Sequence, residues 1–240
     1  MKNVVLVFSA VCLSLFSFAQ GKKDWSKIDL SNRPGDHFML QLSSDHWTGM
    51  PDSIKNHQGK LSRGGNIYVM IDKPFKSNPR FSIGFGVGIG TSSMYFEKMS
   101  IDLKASGNTL PFKSLDTTDR FKKYKFVSSF LEVPLELRFS SDPLNNKKSI
   151  KAALGVKIGT LLNVHTKGKN LQNKDGKTIN SYTLKESKKN FLNTTRLSVT
   201  GRVGMGNFSL FGSYAITGIF KDGAAPDIKP FQIGICLSGL

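Results

Sequence analysis

The sequence predicts an all-β fold: an eight-stranded antiparallel up-and-down transmembrane β-barrel with a side-chain-filled lumen, preceded by a cleaved signal peptide. Apolar residues recur at every second position in eight segments. Most of these segments reach the roughly 9–11 residues that a tilted strand needs to cross a bilayer. The connections between them alternate between long and short, as in bacterial outer-membrane barrels. The chain has 240 residues, a size at which an all-β barrel folds as one domain.

The amino end has the organisation of a secretory signal. Lys2 precedes an apolar stretch over residues 4–18, and Ser17, Phe18 and Ala19 form a small-x-small cleavage site. We therefore expect residues 1–19 to be a signal peptide, residues 20–36 a periplasmic N-terminal segment, and residues 37–240 the outer-membrane barrel domain. Cleavage would leave Cys236 as the one cysteine, so no intrachain disulfide is expected.

Two segments show the alternation most clearly. From Phe81, five apolar side chains share one face, while one serine and four glycines occupy the other. From Leu131, an apolar face alternates with a face that carries Glu132, Glu136 and Arg138. The eight predicted strands are His37–Trp47, Asn66–Phe75, Phe81–Phe96, Phe126–Ser140, Ser149–His165, Leu192–Gly206, Phe208–Phe220 and Ile228–Leu240.

The predicted connections are sorted by length. Short turns fall at residues 76–79, 142–148 and 206–207, and Lys221–Asp227 closes the last pair of strands. The long loops are Thr48–Gly65, Glu97–Lys125 and Thr166–Phe191. Because antiparallel strands place alternate connections at opposite ends, we expect both termini and the short turns in the periplasm and the long loops outside.

The alternation also assigns a lumen face to each strand. The charged residues predicted to form a structural network in the lumen are Glu132, Glu136, Arg138, Lys151, Lys157, Arg196 and Arg202, and Gln41, Asn66, Asp72 and Gln232 share their face. An eight-stranded barrel is just wide enough to be filled by its own side chains, so these charges must pair or reach trapped water. An open pore is therefore not expected. A small channel is the alternative, and it would need a lumen that the side chains leave open.

The sequence offers little catalytic chemistry. Its four histidines are His37, His46, His57 and His165. With Asp45 and Asp52 they could belong to a lipid-modifying outer-membrane hydrolase, but they are scattered and Gly-x-Ser-x-Gly is absent. Cys236 has no Cys or His at metal-ligand spacing. We therefore predict no catalytic residue, no cofactor and no metal site, and hence a protein that is not an enzyme.

The glycines at positions 84, 86, 88 and 90 alternate within one strand. This spacing differs from the Gly-x-Gly-x-x-Gly of phosphate-binding loops. Small residues on the inner face of a strand instead leave room for bulky partners in the lumen. We interpret the series as packing.

The formal net charge is +17, which would suggest a nucleic-acid partner if the chain were not exported. Much of the positive charge lies in the third long loop. Its lysines are Lys167, Lys169, Lys174, Lys177, Lys185, Lys188 and Lys189. We expect them either to contact the anionic phosphates of outer-leaflet lipopolysaccharide or to be solvated. The expected partners are outer-membrane lipid, lipopolysaccharide and other envelope or secretion proteins, for a monomeric barrel.

Three stretches carry a resemblance to a known family. They are residues 130–139 (Phe-Leu-Glu-Val-Pro-Leu-Glu-Leu-Arg-Phe), residues 153–162 (Ala-Leu-Gly-Val-Lys-Ile-Gly-Thr-Leu-Leu) and the signal ending Phe18-Ala19-Gln20. In these the chain resembles the PorT-like outer-membrane β-barrels of Bacteroidota, over essentially the whole mature length. The resemblance implies an outer-membrane location and an eight-stranded barrel. It also implies a non-enzymatic structural or interaction role, for example as an accessory of protein secretion or envelope assembly.

Overall fold

The computed structural model describes residues 37–59, 61–145 and 148–239. The predicted signal peptide and residues 20–36 lie outside the described residues. None of the described residues belongs to a helix long and apolar enough to cross a membrane. The elements in chain order are β1 (Phe38–Thr48), α1 (Asp52–Lys55), β2 (Arg63–Pro74), β3 (Phe81–Phe96), β4 (Met99–Ile101), β5 (Phe112–Ser114), β6 (Arg120–Ser140), β7 (Ile150–Gln172), β8 (Thr178–Glu186), β9 (Thr195–Met205), β10 (Phe208–Ala215) and β11 (Lys229–Ser238).

Eight of these strands close into a barrel. Around the wall the order is β1, β2, β3, β6, β7, β9, β10 and β11, all neighbours are antiparallel, and β11 returns to pair with β1. The closing pair runs from Met39 opposite Ser238 to Thr48 opposite Lys229. Closure leaves the wall without an open edge, which is the condition for a sheet to cross hydrocarbon. The predicted eight-stranded barrel is confirmed.

The outer face of the wall is apolar. Large side chains recur there at every second position, and Leu154 and Leu210 are 73% and 64% exposed. The same face carries Leu42, Ile67, Val69, Ile71, Ile83, Phe85, Val87, Ile89, Leu131, Val133, Leu135, Leu137, Val156, Ile158, Val199, Val203, Ile233 and Ile235. An exposed apolar surface of this extent requires an apolar solvent.

The two ends of the barrel differ. Residues 75–80, 141–145, 148–149 and 206–207 lie at one end, which also holds the described ends of the chain. We call this the turn end. The other, the loop end, carries residues 49–59, 61–62, 97–119 and 216–228, as well as β8 with the residues on either side of it. The predicted sorting of the connections, with the short ones at one end of the barrel and the long ones at the other, is confirmed.

The structure departs from the sequence prediction mainly at the loop end. There β6 begins at Arg120 rather than Phe126, and β7 continues to Gln172 rather than ending at His165. The pair β4–β5 and strand β8 lie in segments predicted as loops. Conversely, the strand predicted to reach Phe220 ends at Ala215.

We call residues 120–129 of β6, residues 163–172 of β7 and all of β8 the ribbon. Pairing of β7 with the wall strand β9 stops at Thr160, and from Thr166 onward β7 pairs with β8 instead. A bulge at Ser129 and Phe130 separates the ribbon from the wall below, because Asn163 and Leu161 are their partners on β7. The bulge inserts one extra residue on β7. The inward side chains of β7 are therefore at odd-numbered positions in the wall and at even-numbered positions in the ribbon.

Candidate functional site

The lumen contains a first charged group centred on Glu132 of β6. Its carboxylate accepts hydrogen bonds from the hydroxyl of Tyr68 and the guanidinium of Arg196, and Nζ of Lys157 lies 3.7 Å away. All four side chains are buried. The guanidinium carbon of Arg196 also lies 3.9 Å from the centre of the Phe130 ring. One carboxylate therefore joins β2, β7 and β9 to β6 across the interior.

A second charged group lies closer to the turn end, around Glu136. Its Oε2 accepts hydrogen bonds from Nε of Arg138 at 2.9 Å and from Nη2 of Arg202 at 3.2 Å. Nη1 of Arg138 lies 3.4 Å from Oδ1 of Asp72, which also accepts a 2.7 Å hydrogen bond from Ser82. We call the two groups together the lumen network. Their ion pairs occupy the space that a channel would need.

Polar side chains of β1 line the same interior. The carboxylate of Asp45 accepts hydrogen bonds of 3.2 Å from the amide of Gln232 and of 2.5 Å from Ser43. Oε1 of Gln41 accepts a 3.0 Å hydrogen bond from the amide of Asn66. All the residues predicted for the lumen face lie inward, and Lys151 lies there half-buried near the turn end.

The glycine series of β3 provides the room for these side chains. A Cβ added at Gly90 would lie 2.8 Å from Oε2 of Glu132, and one at Gly84 would overlap the guanidinium of Arg138. The glycines thus lie beneath side chains from the neighbouring strand. Their role here is packing within the lumen network.

The loop-end half of the lumen is apolar. The ring of Trp47 lies 5.5 Å from Phe126, 5.6 Å from Phe96 and 5.8 Å from Phe220, measured between ring centres. The buried set is Trp47, Ile54, Met94, Phe96, Met99, Ile101, Leu103, Leu110, Tyr124, Phe126, Phe130, Leu161, Val164, Phe191, Leu192, Ile219, Phe220, Ala224 and Ile228. We call it the mouth cluster. This packing was not predicted from the sequence: Leu103, Leu110 and Phe191 belong to predicted long loops and are buried in the loop-end half of the lumen.

Hydrogen bonds hold the loops in this inward position. The backbone N–H of Leu110 donates to the carbonyl of Ala224 at 2.7 Å. The amide of Asn193 donates at 2.8 Å to the carbonyls of both Gly218 and Phe220. These bonds tie three loops to one another over the mouth.

Asp116 makes a further, exposed connection between two loops. Its carboxylate lies 3.6 Å from Nε2 of His57 and 3.8 Å from Nζ of Lys98. The hydrogen bond from Ser114, and then the positive charges of His57, Lys98 and Arg120, hold the pKa of Asp116 below its ordinary value. The contact stabilises the loop arrangement at neutral pH only modestly, because it is open to solvent.

Lysines form two rows on the outward face of the ribbon. In the first row, Lys125 of β6, Lys167 of β7 and Lys185 of β8 are direct cross-strand neighbours. In the second row, Lys123 lies opposite Lys169. We call these five residues the lysine ladder. Since neighbouring strands lie about 4.8 Å apart, each row brings like charges side by side, which destabilises the pairing.

The lysine ladder lacks acidic partners. Within the described ranges, no carboxylate forms an ion pair with any of its five side chains. Nζ of Lys125 lies 3.4 Å from Oγ of Ser93 and 5.6 Å from the centre of the Tyr95 ring. The opposite face of the ribbon is buried at Tyr124 and Thr166.

The structure divides the lysines that the sequence singled out. Lys167, Lys169 and Lys185 belong to the ladder, whereas Lys174 and Lys177 lie at the turn between β7 and β8. Lys188 and Lys189 follow β8, and Nζ of Lys189 donates a 3.5 Å hydrogen bond to the carbonyl of Leu161. Lys123 and Lys125 were not singled out from the sequence, because the wall strand was predicted to begin only at Phe126 and they fell in the preceding loop. Their cross-strand partners could be found only from the register.

The four histidines do not come together. His37 and His46 are exposed at opposite ends of β1, and His46 lies 3.1 Å from Oγ of Ser44. His57 follows α1, and its Nδ1 lies 3.0 Å from the carbonyl of Glu97. His165 is half-buried in the ribbon near Asn163. In the described part of the chain, no group of three or more His, Cys, Asp or Glu residues could hold a metal ion.

A closed antiparallel wall with an apolar outer face and a charged, buried interior defines a transmembrane β-barrel of the outer membrane. Residues 18–221 match the model of the family described as "Outer membrane protein beta-barrel domain". The chain belongs to this family and is an outer-membrane protein. No curated protein matches it.

Two solved structures of Ail, the attachment invasion locus protein of Yersinia pestis, are similar to this chain. One, in complex with the heparin analogue sucrose octasulfate, shares 14% identity with a TM-score of 0.36. The other, of Ail alone, shares 13% identity with a TM-score of 0.32. Each match covers 84% of this chain and 94% of Ail.

Proposed function

We propose that this protein is a non-enzymatic, non-conducting interaction barrel. The wall anchors it in the outer membrane with both termini in the periplasm. The ribbon and the loop end face the outside of the cell, where they present a rigid surface to envelope components. Such projecting segments on a stable scaffold are the usual place for binding.

One observation carries the proposal: the lumen is filled at two levels beneath a ribbon that continues past the wall. The lumen network crosses the interior with ion pairs, and the mouth cluster covers it with the ring of Trp47 among three phenylalanines. Meanwhile β6 and β7, at 21 and 23 residues, are about twice as long as β9, with 11. Strands longer than the roughly 9–11 residues of a membrane crossing are expected to extend beyond the membrane.

Planar-bilayer recording separates this proposal from the small-channel alternative. The purified protein should give no stable current steps. The double variant Phe126→Ala/Phe220→Ala, which opens the mouth cluster, should also remain silent because the lumen network still blocks the interior. Reproducible steps from the unaltered protein would reject the non-conducting barrel.

Labelling of intact cells tests the orientation. A cysteine at Lys174, in the turn between β7 and β8, should react with a membrane-impermeant maleimide. A cysteine at Asn207, in the turn between β9 and β10, should react only after the outer membrane is permeabilised. The opposite pattern would place the ribbon in the periplasm.

The resemblance of residues 130–139 and 153–162 to PorT-like barrels supports a finer version of this role. On that reading the protein is an accessory of protein secretion or envelope assembly. Deleting the gene and comparing the secreted proteome tests it, and unchanged secretion would limit the role to the envelope surface. A lipid A hydrolysis assay on the purified protein, expected to be negative, tests the hydrolase alternative.

A further inference from the structure

We propose that the lysine ladder binds the phosphate groups of lipopolysaccharide in the outer leaflet around the barrel. This inference rests on the proposed function for the outward orientation of the ribbon, and it names the partner of that surface.

The ladder lies on the lipid-facing side of the protein, just beyond the apolar band. On β6 the outward series passes from the exposed Leu131 through the half-buried Ser129 and the buried Val127 to the half-buried Lys125. Six residues at roughly 3.3 Å each place Lys125 about 20 Å along the strand from Leu131. With a strand tilt of about 40°, this is roughly 15 Å along the membrane normal. That level corresponds to the phosphorylated sugars above the acyl chains rather than to bulk solvent.

The ladder also contrasts with the cations inside the barrel. In the lumen, Arg138, Arg196 and Arg202 each contact a carboxylate of the protein. The ladder has five cations in cross-strand register and no carboxylate partner among the described residues. Like charges on neighbouring strands repel, so an external anion is the group that would offset this repulsion.

The arrangement fits phosphate in particular. Lysine ammonium groups bind phosphate as point charges, and two rows on strands about 4.8 Å apart present several ammonium groups to one phosphate or to adjacent phosphates. By contrast, Lys174 and Lys177 project from the turn between β7 and β8, and Lys122 is exposed on the opposite face of β6. The ribbon and the turn between β7 and β8 therefore supply lysines that lie off the ladder.

These off-ladder lysines allow a matched experiment. The ladder variant is Lys125→Glu/Lys167→Glu/Lys185→Glu, and the control variant is Lys122→Glu/Lys174→Glu/Lys177→Glu, with the same change in net charge. Each purified full-length chain is first checked for a heat-dependent shift in detergent gels, so that only folded barrels are compared. Binding of fluorescent lipopolysaccharide in detergent micelles is then measured by anisotropy, with lipopolysaccharide whose phosphates have been removed as a second probe.

The ladder variant should bind lipopolysaccharide about tenfold or more weakly, since each lysine near an anionic lipid surface contributes severalfold. The control variant should stay within about twofold of the unaltered protein. Removing the phosphates should weaken the unaltered protein to the level of the ladder variant. Added salt should weaken only the ladder-dependent part, because exposed charges are screened.

Equal losses in the two variants would overturn the inference in favour of a general effect of net charge. Unchanged binding by the ladder variant, or undiminished binding of the phosphate-free probe, would also overturn it. So would tighter ladder-dependent binding of soluble polyphosphate than of lipopolysaccharide, which would replace the lipid by a soluble anion. None of these outcomes affects the bilayer recording, so the proposed function fails or holds separately.

Discussion

The turn-end half of the lumen is filled by side chains of the wall itself, whereas the loop-end half is filled largely by the connecting loops. In the first half, carboxylates and cations on different strands contact one another across the interior. In the second, apolar side chains from four connections pack against Trp47 and the rings around it. The wall therefore fills its interior with ion pairs beside a small apolar cluster of its own, formed by Met39, Tyr68, Met70, Phe211 and Cys236. The loops need the wall to bury their apolar residues. The following predictions test this division.

The largest effect is expected from Glu132→Gln. The substitution leaves Lys157 and Arg196 buried without a carboxylate, which should lower the free energy of unfolding by about 3–5 kcal/mol. Urea denaturation of the folded barrel measures this. The neighbouring lipid-facing variant Val133→Ala serves as the control and should change stability by less than about 1 kcal/mol. A loss below about 1 kcal/mol for Glu132→Gln would mean that the network does not stabilise the wall.

A smaller and more local effect is expected from Leu110→Ala in the mouth cluster. Loss of this buried side chain should cost about 2–3 kcal/mol, and the cost should fall on loop opening rather than on the wall. Amide hydrogen exchange should therefore accelerate in residues 97–119 and 216–228 while the wall strands stay protected. Leu144→Ala, at an exposed position of the turn end, is the control. Equal acceleration in the wall would show that the two halves unfold together.

Gly90→Ala tests how closely β3 supports the lumen network. The added methyl group would press on Glu132 and Asn66, so we expect a loss of about 1–2 kcal/mol. Gly107→Ala is the matched control, because a Cβ there meets nothing within 4 Å. Thermal unfolding of both variants gives the comparison. Identical stabilities would indicate that the network yields freely to the extra atom.

The smallest effect is expected at the exposed contact of Asp116. Because the folded pKa of this carboxyl lies below its ordinary value of 3.8, its contribution is complete above that pH and is lost as the pH falls through the folded pKa. Asp116→Asn should therefore leave thermal stability unchanged at a pH below the folded pKa. At neutral pH it should slightly increase amide exchange around His57 and Lys98. An effect of equal size at both pH values would exclude the charge as its cause.

The wall could be predicted from the sequence because a barrel strand contacts lipid on one side and the lumen on the other. Phe81–Phe96 was predicted with its observed bounds, and the lumen positions of Glu132 and Arg202 followed from the same period. The interaction partners of these lumen residues could not be predicted from the period. Glu132 contacts Arg196 and Tyr68 because the closed wall brings β9 and β2 near β6, and a linear pattern does not contain that closure.

The ribbon and the mouth cluster could not be predicted from the alternation of apolar and polar residues. All but the last residue of β8 are exposed, so it carries no apolar period. The bulge opposite Ser129 and Phe130 reverses the inward face of β7, although not of β6, above it. Leu103 and Leu110 lie in a segment rich in Ser, Thr, Asp and Lys that resembles a solvated loop. Their burial depends on the space left above the lumen network, which exists only once the wall has closed.

The pairing of β1 with β11 constrains how the protein can be made. These strands lie at opposite ends of the described chain, yet they form the seam that seals the wall. Until the ten residues of β11 arrive, β1 and β10 would each present an unpaired edge to hydrocarbon, which lipid does not tolerate. We therefore expect the barrel to close in the membrane only after the last strand of the chain has been made. We expect a chain that ends within β11 to form no closed barrel, because β1 and β10 would keep unpaired edges.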